Sequence, residues 1–195
     1  MADIIETVES PGVAVESDAA ASVAFLTKTI LGPPYTAAGW KKFIEPEPLP
    51  PGFTRHFNVN QNNGDIVVQL TGRPPAGNIA LRAGFQYTFL QSSNTIDVFN
   101  VLLDTGPVSI NPAGSRVKTY GEVTVSSPGL GPVRDTFSLQ SRRPTLLSVP
   151  ALLLAGRTYT LKFGVVIEMV CSGGEVYTEV IAPARYAERR PLRVF

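Results

Sequence analysis

Polar and apolar residues alternate one by one over Arg116-Val117-Lys118-Thr119-Tyr120-Gly121-Glu122-Val123-Thr124-Val125. A period of two sends successive side chains to opposite faces of a strand. Val117, Val123 and Val125 therefore face a core, and Arg116, Lys118, Glu122 and Thr124 face solvent. The same pattern predicts strands over 53–61 and 65–71, flanking Asn62-Asn63-Gly64, and Asn-Gly is among the strongest hairpin signals. Over 95–103, Ile96, Val98 and Asn100 share one face while Phe99 and Val101 share the other. Short strands follow over 135–140 and 146–149. A last pair, 163–171 and 175–181 around Ser172-Gly173-Gly174, reads as a hairpin.

One stretch occurs twice. Leu81-Arg82-Ala83-Gly84-Phe85-Gln86-Tyr87-Thr88-Phe89 returns 72 positions later as Leu153-Leu154-Ala155-Gly156-Arg157-Thr158-Tyr159-Thr160-Leu161. Upstream, Leu70 and Arg73-Pro74 answer Leu139 and Arg143-Pro144. Glycine tolerates the backbone of a tight turn, and the aromatic and β-branched residues after it favour a strand, so each copy reads as a turn feeding a strand. The leucine, glycine and tyrosine spacing resembles the tyrosine corner of fibronectin type III and immunoglobulin-like sandwiches. That resemblance implies a Greek-key β fold in which the ring is buried and its hydroxyl bonds backbone upstream. The repeat divides the strand region into halves, 53–114 and 115–183. Units of about 70 residues without a disulfide or metal bury too little to be stable alone. The prediction is one all-β, antiparallel Greek-key β-sandwich of jelly-roll type over 53–183.

The ends read differently. Residues 1–52 read as an extended, proline-rich N-terminal arm, because Pro33-Pro34 and Glu45-Pro46-Glu47-Pro48-Leu49-Pro50-Pro51 cannot sit inside a sheet. Tyr35, Trp40, Phe43 and Ile44 are apolar anchors with which the arm would lie on something. Within it, 18–31 fits either a short helix capped by Asp18 or, given Val23, Thr27, Thr29 and Ile30, a strand. Residues 184–195 read as a basic tail carrying Arg185, Arg189, Arg190 and Arg193, whereas residues 1–20 are acidic. Opposite charge at opposite ends suggests that one subunit's arm meets another subunit's tail.

Composition excludes more than it assigns. Formal net charge is +1, which leaves no overall field to attract nucleic acid. The tail and Arg142-Arg143 offer phosphate contacts but few stacking platforms beside them. Cys171 is the single cysteine, which rules out an internal disulfide framework and multi-cysteine zinc sites. The acidic start is unlike a secretory signal, and no window is long and apolar enough to cross a membrane.

Catalytic constellations are absent from the pattern. The single histidine, His56, lies on a predicted strand with no nucleophile motif. Asp97 with Asp104, or Glu168 with Glu175 and Glu179, would have to converge for glycoside chemistry. Asp65 with the 60–63 asparagine cluster is a calcium candidate that the Asn-Gly turn already explains. Gly129-x-Gly131 lacks the helix and lysine of a phosphate loop. No residue is assigned a catalytic, cofactor-binding or metal-binding role, and no cofactor is expected.

By architecture the chain resembles viral capsid and decoration jelly-roll proteins. That likeness implies a non-enzymatic virion component that contacts other copies or particle proteins through its terminal arms. The alternative is a carbohydrate- or protein-binding β-sandwich module, with Tyr35, Trp40 and Tyr120 as candidate contacts.

Overall fold

The computed structural model describes residues 29–36, 39–46, 48, 50–105, 108–112 and 116–192. Among them there is no helix; thirteen strands, all paired antiparallel, form three sheets. The strands are β1 (Thr29–Ile30), β2 (Trp40–Glu45), β3 (Phe53–Asn60), β4 (Asp65–Gly72), β5 (Gly77–Leu90), β6 (Thr95–Asp104) and β7 (Val108–Pro112). They continue as β8 (Arg116–Ser127), β9 (Leu130–Ser138), β10 (Pro144–Leu153), β11 (Thr158–Cys171), β12 (Val176–Ile181) and β13 (Ala184–Pro191).

One layer is the five-stranded sheet β2-β5-β11-β8-β9. Two four-stranded sheets, β3-β4-β12-β7 and β1-β13-β6-β10, meet end to end. Strand β12 runs almost directly into β13, and the ladder carries across the junction: Ala182 N–H donates to Ile66 O, Ala184 N–H to Gly64 O and Asp104 N–H to Pro183 O. The apolar faces enclose one core that includes Phe85, Phe99, Leu103, Leu147, Leu161 and Phe163. This is the predicted β-sandwich. Every sheet contains strands of both sequence halves, so both halves share that core.

Several boundaries differ from the sequence reading. Strand β1 pairs with β13, so 29–30 are extended rather than helical, while 18–28 lie outside the described residues. Within the expected arm, Thr29–Ile30 and Trp40–Glu45 are strands of the sandwich. Strand β2 pairs with β5, and Tyr35 is fully buried, stacked on Phe85 with centroids 4.5 Å apart. Its hydroxyl donates to Ala184 O at 3.2 Å, and burial pushes that phenol's pKa up. Residues 184–191 of the expected tail are likewise a strand, since β13 lies between β1 and β6.

Of two local turn signals, one kept its meaning on folding and one changed it. The 62–64 turn does close a β3–β4 hairpin, with Asn60 opposite Asp65. The last two strands exist as expected, but β11 and β12 do not pair with each other. Both edges of β11 are occupied by β5 and β8, so the chain crosses through 172–175 into the other layer, where β12 sits between β4 and β7.

Candidate functional site

The residues that the sequence offered for chemistry do not converge. His56 is exposed on β3, opposite Gln69. Asp97 and Asp104 share β6 but point to opposite faces. Asp97 is buried against Arg189, whose guanidinium lies 4.5 Å from the centre of the Phe89 ring, and Asp104 meets Arg185 at the surface. Glu168 and Glu179 stand in different layers. The Asn60 and Asn63 side chains accept the backbone N–H groups of Asn62 and Asp65, which is turn geometry. No group of three metal-ligating side chains occurs among the described residues.

Two of the three proposed contact aromatics are core residues. Trp40 packs edge-on against Tyr35 at 4.7 Å, and both are buried. Tyr120 alone stands on an outer surface, and it leads to the site. Register across the five-stranded sheet aligns outward side chains in rows. One row is Glu45, Arg82, Val166, Tyr120 and Ser138; the next is Phe43, Gly84, Gly164, Glu122 and Thr136. Beyond Tyr120 the pair Glu168 and Lys118 follows, then Val170 and Arg116.

The centre of this face is low because Gly84 and Gly164 oppose each other there. A Cβ on Gly84 would lie 2.1 Å from Phe163 O, and one on Gly164 2.1 Å from Ala83 O, so the close approach of the two strands admits only glycine. Phe43, Arg82, Glu122, Lys162 and Val166 border the depression. Two grooves lie on the same face. One, of about 590 Å³, is lined by Asn78, Ala80, Arg116, Lys118, Glu168 and Val170 among others. The other, of about 390 Å³, is lined by Lys118, Tyr120, Glu122, Arg134, Thr136 and Glu168 among others. Lys118 and Glu168 belong to both walls, so the two form one trough across β5, β11, β8 and β9.

Charge in the trough is organised in pairs. Arg82 donates to Glu122 Oε1 at 3.0 Å, and Arg134 lies 3.5 Å from Glu122 Oε2. Lys162 meets Glu45 at 2.6 Å and sits over the Phe43 ring. The Tyr120 hydroxyl donates to Glu168 Oε2 at 2.6 Å. Desolvation first, then that hydrogen bond and the Glu168 charge, push the Tyr120 pKa up to about 12. At neutral pH Tyr120 is therefore a fixed donor, and its hydrogen bond holds the Glu168 side chain in one orientation. This network was invisible in the sequence, because its members come from five strands spread over 41–138 and 158–171; only the outward alternation along β8 pointed toward it.

No protein-family model and no curated protein matches the chain. Solved structures to which it is similar include the CBM22-1 xylan-binding domain of Paenibacillus barcinonensis Xyn10C, at 15% identity over 87% of this chain and 99% of that one, with a TM-score of 0.37. Another is TmCBM61 in complex with β-1,4-galactotriose, at 4% identity over 78% and 89% with a TM-score of 0.36. An apo cyclase from Fischerella sp. is similar at 11% identity over 87% and 89%, with a TM-score of 0.41. The reading of this chain as a virion component held by its terminal arms is corrected: 29–30 and 184–191, which that reading gave to the arms, are strands of the chain's own sheet, while 1–28 lie outside the described residues. Arg189 and Arg190 are engaged by Asp97 and Glu188. No helix among the described residues is long and apolar enough to cross a membrane.

Proposed function

We propose that this chain is a non-enzymatic carbohydrate-binding β-sandwich that holds a glycan in the trough on the outer face of its five-stranded sheet. The observation that carries the reading is the trough's lining: donors and acceptors of both signs alternate with small apolar surfaces on one rigid sheet. A sugar presents hydroxyls that donate and accept at once, together with apolar C–H faces, and such a lining matches both. Lys118, Tyr120, Glu168 and Thr136 supply the polar contacts; Ala80 and Val170 supply apolar floor. Glu168 and Val170 stand on β11, which is paired on both sides by β5 and β8, so these groups are pre-oriented, which reduces the ordering cost of binding.

The non-enzymatic part of the reading rests on the state of the two carboxylates in the trough. Glu122 is shared by Arg82 and Arg134, and Glu168 accepts from Tyr120. Glycoside hydrolysis needs one carboxyl group held protonated and another free to attack or activate water. Both Glu122 oxygens are occupied by arginines and the Glu168 Oε2 by the Tyr120 hydroxyl, so neither carboxylate is placed as a free acid or nucleophile.

A glycan array followed by isothermal titration of the full chain tests the proposal. Saturable binding is expected, weakened by about 1–3 kcal/mol in Glu168→Ala because the Tyr120 hydroxyl then loses its acceptor and the shared wall its shape. Absence of saturable binding to every glycan class, or binding untouched by Glu168→Ala, overturns the trough as a sugar site.

A further inference from the structure

The trough's uncommitted groups are of one sign. Its carboxylates are engaged as described, Glu122 by two arginines and Glu168 by the Tyr120 hydroxyl. Arg116 and Lys118 are not: both are exposed, and neither forms an ion pair among the described residues. They stand on the same face of β8, two residues and so about 7 Å apart, along one wall of the larger groove. Asn78 and Ala80 of β5 and Val170 of β11 form the rest of that end of the groove. Two unpaired cations in a concavity raise the local potential, because low-dielectric walls focus the field.

Resting on the carbohydrate-binding reading, we infer that this end of the trough selects an acidic saccharide, one bearing a carboxylate or sulfate that Arg116 and Lys118 receive. Arginine offers a planar pair of donors that matches carboxylate and sulfate oxygens, and lysine adds a mobile point charge beside it. Asn78 provides a neutral donor and acceptor for a neighbouring hydroxyl. Glu168, facing Lys118 across the strands, marks where the anionic subsite ends: a second acidic group placed over it would meet a like charge, so the spacing of charges along the glycan matters.

The test is isothermal titration of the full chain with uronate- and sulfate-bearing oligosaccharides, each beside its methyl-esterified or desulfated counterpart. A single-stranded oligonucleotide of equal charge is titrated in parallel. The acidic forms are expected to bind about tenfold or more tightly than their neutralised counterparts, with affinity falling as salt rises, and the Arg116→Gln/Lys118→Gln double variant should abolish the difference. Circular dichroism and the unfolding midpoint of that variant are expected to match the parent, both side chains being exposed; the salt series on the unaltered protein tests the inference even if they do not. Equal binding of acidic and neutral forms, still lost in Glu168→Ala, overturns the acidic selection and leaves the carbohydrate reading standing. No binding by any saccharide overturns both. An oligonucleotide bound as tightly as the acidic sugars overturns saccharide selection in favour of a general polyanion site.

Discussion

The two copies of the Leu-x-Ala-Gly-x-x-Tyr-Thr stretch share a sequence and not a structure. In the second, Gly156 lies in the turn between β10 and β11 with φ of 80°, and a Cβ there would meet nothing within 4 Å. Tyr159 is buried, and its hydroxyl accepts the Leu154 N–H at 2.9 Å, the arrangement that the tyrosine-corner resemblance implied. In the first, Gly84 lies mid-strand in β5, between Phe43 on one side and Gly164 on the other, and no turn exists. The copies are direct neighbours, with Thr88 opposite Thr160 and their hydroxyls 3.3 Å apart. A glycine beyond the last paired residue is free to turn. One with a strand on each side is held extended by both ladders, and it serves instead to let two backbones approach.

Substitutions separate the two roles. Gly84→Ala should have the largest effect, about 3 kcal/mol of lost stability or more, because the new methyl collides with backbone that two paired strands hold in place. Denaturant unfolding measures it, and a loss under 1 kcal/mol would mean that the strands separate easily there. Next comes Tyr159→Phe, expected to cost about 1–2 kcal/mol because the Leu154 N–H loses its acceptor in a partly buried corner. Gly156→Ala follows at about 1 kcal/mol, the cost of a side chain at positive φ with no steric clash; a value matching Gly84→Ala would erase the contrast between the copies. Smallest is Tyr87→Phe, within about 0.5 kcal/mol, since the half-buried Tyr87 contributes chiefly its ring, which packs on Trp40 at 5.1 Å.

Legibility followed the range of the interactions. The β3–β4 hairpin was readable because Asn62-Asn63-Gly64 sets its own turn, and the β8 faces because alternation is a local property. The β11–β12 hairpin was misread: a glycine turn between two strands marks a reversal equally well whether the strands pair in one sheet or cross between layers. Arg189 and Arg190 read as part of a basic tail because Asp97, 92 positions from Arg189, is invisible to any local window. The candidate site suffered most. Of its residues only Tyr120 was proposed as a contact, and it was grouped with Tyr35 and Trp40, whose aromatic character fits a core and a binding face equally well.

By itself, then, the sequence determined the strands, their inward and outward faces, the local turns and a net charge of +1 that sets up no overall field. Strand period, turn chemistry and net charge depend on neighbours along the chain. Tertiary structure alone decided which strands became partners, and with that the trough. It put Gly84 against Gly164, brought Arg82 and Arg134 onto Glu122, and left Arg116 and Lys118 without an ion pair among the described residues. Those outcomes depend on cross-strand register, set by burying one apolar face of each strand against a core assembled from the whole chain.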